Sequence, residues 1–88
     1  MFEWDKTKAQ QNQAKHGVSF ADTFAVFEDA GALTLDQLVG GEQRHATIGM
    51  DAFGRVLVVV YTWRGDNIRI ISARKATRHE VRQYESEL

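Results

Sequence analysis

Val56-Leu-Val-Val-Val-Tyr61 is the longest apolar run in the chain, with no polar position inside it. A half-exposed strand alternates apolar and polar residues, whereas one without alternation is covered on both faces. Arg55 to Trp63 therefore reads as a central strand, and the rest of the chain must supply its neighbours and its covering layers. Hairpin-type turn residues bound it closely, Asp51-Ala-Phe-Gly54 before and Arg64-Gly65-Asp66-Asn67 after. Connections this short join antiparallel strands.

The flanking segments carry strand patterns of their own. Arg44, Ala46, Ile48 and Met50 alternate with His45, Thr47 and Gly49, while Ala32 to Leu38 is a weaker strand turned by Gly40-Gly41. Downstream, Ile68, Ile70 and Ser72 alternate with Arg69, Ile71 and Ala73, so Arg69 projects from the face opposite Ile68 and Ile70. Phe2 to Trp4 reads as a short edge strand. Asp5 is the expected N-cap of a helix running to about His16, with Gly17 in the position that wants positive φ. Apart from Ala9 and Ala14 this helix is polar on all sides and offers little to a core. Ser19 with Asp22 resembles a capping box, and Phe20, Phe24 and Phe27 then recur at helical spacing until Asp29 and Gly31. A second capping box, Thr77 with Glu80, starts a helix near Arg78 whose stripe is Val81, Tyr84 and Leu88, with Arg78 and Arg82 together on another face. The expected architecture is one α+β domain over residues 1–88: two N-terminal helices, an antiparallel meander of about four strands and a C-terminal helix.

A domain of 88 residues buries only about 60% of its unfolded surface. With no cysteine it has neither disulfides nor a thiolate metal site, which fits a cytoplasmic protein. No signal peptide is visible, and the longest apolar run is too short to span a bilayer. The net charge of −1 hides a polarity: residues 1–41 hold three lysines against six carboxylates, residues 44–82 eight basic against three acidic residues. A basic sheet half beside an acidic helical half is the pattern of a face that meets phosphates.

His16, His45 and His79 have no i, i+4 pairing and the acids form no Asp-x-Asp cluster, so no metal site is expected. P-loop, nucleophile-elbow and dinucleotide motifs are also missing. Arginines, lysines, histidines and Tyr84 remain. These suit attack of an RNA 2′-hydroxyl on its own phosphate, which needs proton transfer and stabilisation of charge on the phosphoryl oxygens, with no cofactor. Arg44, Arg69 and Arg74 are the natural charge stabilisers, although each could equally form a surface salt bridge with a residue such as Glu42 or Glu80. Arg74 and Lys75 also stand at a helix N-terminus, whose free N–H groups favour phosphate. Lys15-His16 could supply acid or base, although His16 could equally cap its helix; Tyr84 could act or pack, and Glu80 is accounted for by its capping box.

Several segments together resemble one family: Phe2-Glu-Trp-Asp-x-x-Lys8; Asn12-x-x-Lys15-His16-Gly17-Val-x-Phe20; Asp29; Arg44 opening a strand that ends in Ile48-Gly49; and Ile68-Arg-Ile-Ile-Ser-Ala-Arg74-x-Ala76 followed by Glu80 and Tyr84. The chain is similar to the BrnT toxins over nearly its whole length. The resemblance implies a RelE-like fold and metal-independent RNA cleavage that arrests translation. It also implies a BrnA-type DNA-binding antitoxin, operator DNA being met only through their complex. His16, Arg44, Arg69, Arg74, Glu80 and Tyr84 are the catalytic positions it suggests, and Lys15, Arg64, Lys75 and Arg78 are expected to hold the RNA backbone. A second reading stays open, a non-catalytic module that serves as partner or co-repressor in such a complex.

Overall fold

The computed structural model describes residues 1–86, so Leu88 of the expected stripe lies outside the described residues. Its elements are β1 (Phe2–Glu3), α1 (Lys6–His16), a 3₁₀ helix (Phe20–Glu28), β2 (Leu33–Val39), β3 (Glu42–Met50), β4 (Val56–Arg64), β5 (Asn67–Lys75) and α2 (Arg78–Ser86). β2 to β5 form the expected antiparallel meander, but β1 pairs parallel to β5, so the five-stranded sheet is mixed, in the order β1-β5-β4-β3-β2.

The apolar run is central, as read. On one face Leu57 and Val59 are fully buried under Val18, Phe20 and Val26, together with Ile70 and Ala73 from β5. On the other, Val58 packs with Ala46, Ile48 and the α2 residue Tyr84. Coverage of this second face fades along the strand. Val60 still packs against the Tyr84 cluster and Thr62 is buried, while Arg64 at the strand end is exposed. The Leu57–Val60 core is thus covered on both faces as read, and the arginines gather beyond it, where α2 no longer reaches.

Three local readings change for physical reasons. The segment after Ser19 is a 3₁₀ rather than an α-helix. Its buried residues are Phe20, Thr23 and Val26, three apart as that helix requires, while the Thr23 hydroxyl donates to the Phe20 carbonyl at 2.6 Å. Ser19 caps it by accepting from Ala21 N–H, yet the Asp22 carboxylate pairs with Arg55 and does not close a box. Asp5 has the extended backbone of an N-cap without a side-chain cap bond, whereas Gly17 takes the left-handed conformation expected of it, with φ 69°.

The third change is in β5. Val60 pairs with Ser72 and Tyr61 with Ile70, which leaves Ile71 as an extra residue in a bulge. The bulge resets the alternation. Ala73 joins Ile70 in the core, and Ser72 joins the side that carries Arg69 and Arg74, against the strict alternation read from the sequence. Next to the bulge, the buried Asn12 docks α1. Its Nδ2 donates to the carbonyls of Val18 (3.0 Å) and Ala73 (2.8 Å), and its Oδ1 accepts from Ala73 N–H (3.1 Å). A helix with almost no apolar stripe is held by one amide. At Gly49 close packing excludes a side chain, since an added Cβ would lie 2.9 Å from Val26 Cγ1.

Candidate active site

On the uncovered half-face, Thr62 (8% exposed) sits in β4 and pairs with Arg69 on β5. Its hydroxyl donates to the Gln43 carbonyl at 2.9 Å. Arg44 on β3 lies one residue beyond the His45–Tyr61 pair and shares the face of Ala46, so it flanks Thr62 from the other side. Arg64 follows at the end of β4, paired with Asn67. Three guanidinium groups thus border one shallow polar floor.

Their donors are largely unspent. Arg44 approaches Glu42 only at 3.7 Å, and its buried Nε has no partner. Arg69 gives one Nη1 to Glu3 Oε1 at 3.3 Å. Glu3, brought alongside by the parallel pairing of β1, also accepts from Asn67 Nδ2 at 3.1 Å. The Asn67 amide, with Arg69 next, holds the Glu3 carboxyl below its usual range. Nothing in the sequence marks this acid as part of the arginine face, because the contact spans 66 residues.

Arg74 shares this face, paired with Val58, but is tied down. Nη1 and Nη2 reach the two Glu80 oxygens at 2.7 and 2.9 Å. Glu80 also completes the expected capping box, accepting from Thr77 N–H at 2.8 Å while the Thr77 hydroxyl accepts from Glu80 N–H at 3.2 Å. Arg74 above all lowers the Glu80 carboxyl to about 2. Tyr84 is 4% exposed and its hydroxyl donates to Asp29 Oδ2 at 2.7 Å, the same oxygen that accepts from Met50 N–H. The Met50 amide and then Tyr84 hold Asp29 low, and Asp29 in turn raises the Tyr84 phenol. This side chain joins α2 to the segment before β2 and faces the packed half of the sheet.

The remaining residues of interest spread around the sheet. Lys75 pairs with Leu57 and so leaves from the opposite face to Arg74, and Arg78 is exposed at the start of α2. Lys15 and His16 do not stand beside Arg44. With Lys8, Gln11, Asn12, Ile71 and Ser72 they line a cleft of about 340 Å³ between α1 and the outer edge of β5. They flank the Arg69–Arg74 side of β5 from that edge, and Arg44 flanks it from β3. On the far side of the sheet His45 Nδ1 meets Asp36 Oδ1 at 2.6 Å, with Tyr61 tilted against its ring at 5.3 Å. That pair arises from the β2–β3 register and left no motif. Among the described residues no three His, Asp or Glu side chains come together as a metal-binding group.

The expected acidic helical half is also revised. α1 itself carries Lys6, Lys8, Lys15 and His16 and no acid, while Glu3, Asp22, Asp29 and Asp36 are each engaged by a side chain elsewhere.

A five-stranded sheet covered by α1 and the 3₁₀ helix on one face and half covered by α2 on the other, with arginines on the open half, is a RelE-like α+β domain. Within that class the chain belongs to the BrnT family: the model of the type II toxin–antitoxin ribonuclease toxin BrnT matches residues 4–80. The crystal structure of the Brucella abortus ribonuclease toxin BrnT, at 1.1 Å resolution, is similar at 30% identity and a TM-score of 0.69, covering 89% of this chain and 99% of that one. No curated protein matches the chain.

Proposed function

We propose that this chain is the endoribonuclease toxin of a type II toxin–antitoxin pair, cleaving RNA in the cytoplasm without a metal, arresting translation, and neutralised by a BrnA-type antitoxin. Family membership supports the toxin role. The observation that carries the chemistry is the open half-face, where Arg44, Arg64 and Arg69 surround buried Thr62 with donors still free.

Attack of a 2′-hydroxyl on its phosphate puts additional charge on the phosphoryl oxygens, and guanidinium groups fixed beforehand stabilise that charge without reorganising. Arg44 and Arg69 grip the scissile phosphate from two strands, Arg64 the adjoining backbone. Arg74 contributes field from its position against Glu80, which serves to orient it. His16 is the group suited to proton transfer near neutral pH, approaching from the β5 edge beside Lys15. Tyr84 acts through the fold, as the anchor of Asp29. Arg78 widens the cationic rim at the start of α2, whereas Lys75 leaves from the other face and is not part of that rim.

Purified protein incubated with single-stranded RNA in EDTA tests this. The wild type should cleave, and Arg44→Ala and Arg69→Ala should each be slower by about 100-fold, the usual loss for one transition-state donor, with the fold retained. RNA left intact, with and without ribosomes, would reject the reading. Salt-sensitive binding without turnover would identify the non-catalytic module instead.

A further inference from the structure

The cleft between α1 and β5 ends at His16, the proposed proton-transfer group, and extends along α1 past Gln11 to Lys8, which the cleavage chemistry does not call for. Lys8, Gln11, Asn12, Lys15 and His16 are spaced three and four apart and form one stripe of α1 facing Ile71 and Ser72. Lys8 and Lys15 are exposed, and neither takes part in an ion pair among the described residues. The usual explanation for helical lysines, pairing with acids one turn away, does not apply: α1 has no acid, and Asp5, one turn before Lys8, makes no ion pair with it among the described residues. The stripe is also fixed in place: Asn12, in the middle of it, bonds both backbone groups of Ala73. Ser72 on the cleft wall shares its face of β5 with Arg69 and Arg74, so the cleft runs into the arginine half-face without an intervening acid on that strand.

We infer that this cleft is a second binding site, a track for the phosphodiester backbone of a single RNA strand beyond the scissile phosphate. The inference rests on the proposed reading of the arginine half-face as an RNA site. Its chemistry sets its specificity. Lys8 and Lys15 are separated by a helical rise of about 10 Å, enough to reach neighbouring phosphates of an extended strand. Gln11 and Ser72 add neutral hydrogen-bonding groups, and Ile71 is the single apolar side chain on the lining. His16 is the single aromatic ring on the lining, and Lys8 and Lys15 hold backbone rather than base, so the cleft adds affinity that is largely independent of sequence. An acidic peptide would need apolar anchors that the lining lacks.

Binding of a fully 2′-O-methylated oligonucleotide, which cannot undergo 2′-hydroxyl attack, isolates the track from cleavage. Measured by fluorescence anisotropy across a salt series, the wild type should show a log–log slope that the double variant Lys8→Ala/Lys15→Ala makes shallower by about 1.4, the release expected for two single-strand phosphate contacts. Lys6→Ala is the control, because Lys6 lines a separate cavity with Trp4 and Phe20 on another side of α1; it should keep the wild-type slope. An unchanged slope in the double variant, or an equal change in Lys6→Ala, overturns the track. So does binding of polyglutamate tighter than that of the oligonucleotide at matched charge and salt, lost in the double variant, which would assign the cleft to an acidic protein segment. If the wild type cleaves RNA and the double variant keeps its slope, the track alone falls. If nothing is cleaved yet the slope changes, the track stands on a non-catalytic module.

Discussion

Arg55, in the loop just before β4, and Arg69, on β5, divide structural from available charge by their surroundings. Arg55 is heavily engaged. Nε donates to Asp51 Oδ2 at 2.8 Å, Nη2 to Asp22 Oδ2 at 3.0 Å and Nη1 to the Gly17 carbonyl at 3.5 Å, with Phe53 packed 5.3 Å from the guanidinium. Asp51, whose side chain is fully buried, chiefly raises the Arg55 pKa. Arg69 makes one longer contact, to Glu3, and keeps its other donors over an open floor. An arginine that closes a hairpin spends most of its donors on the fold, whereas one held by a single oxygen is oriented and still free.

Removing each in turn should give opposite results. Arg55→Ala leaves Asp51 buried without its partner, and chemical denaturation should register a loss of about 3 kcal/mol, the cost of breaking a buried pair from one side; cleavage per folded molecule should not change. Asn12→Ala comes next. It orphans the Ala73 and Val18 backbone groups, for an expected loss of about 2 kcal/mol in the same measurement. A smaller effect lies at the α2 junction. The Glu80 carboxyl titrates at about 2 instead of 4.5, so its contribution is complete above pH 4.5 and drains away as pH falls toward 2. Because Arg74 is 40% exposed, the contribution is about 1 kcal/mol. Glu80→Gln should abolish that part of the acid-side slope in stability. Arg69→Ala should cost the least, within about 0.5 kcal/mol, even as cleavage collapses. Arg69→Ala melting as early as Arg55→Ala would erase the distinction.

Features set by neighbours in sequence were legible from the chain alone. The unbroken Leu57-Val58-Val59-Val60 core marked the centre of the sheet, the turn residues gave the meander, and Thr77 with Glu80 gave the start of α2. What escaped depended on contacts between distant segments. The bulge at Ile71 has no residue signature, and it moved Ser72 to the arginine side. Phe20, Phe24 and Phe27 suit a helix of either pitch, and packing beneath Gly49 accompanies the tighter one. The site was half visible. Arg44, Arg69 and Arg74 stood out by residue type, and Glu42 and Glu80 could be named as partners, but their unequal freedom depends also on Glu3, which lies far away in sequence. The bond of Tyr84 to Asp29 likewise spans 55 residues and is not legible in the sequence.

The amide of Asn12 occupies the hydrogen-bonding groups of Ala73, on the stretch of the β5 edge that β1 leaves unpaired and that another strand could use. In that sense α1 is a guard against fibrous self-association, since an exposed strand rim templates pairing between chains. Thioflavin fluorescence that grows with protein concentration in Asn12→Ala, and stays flat in the wild type, would be the mark of a guard removed.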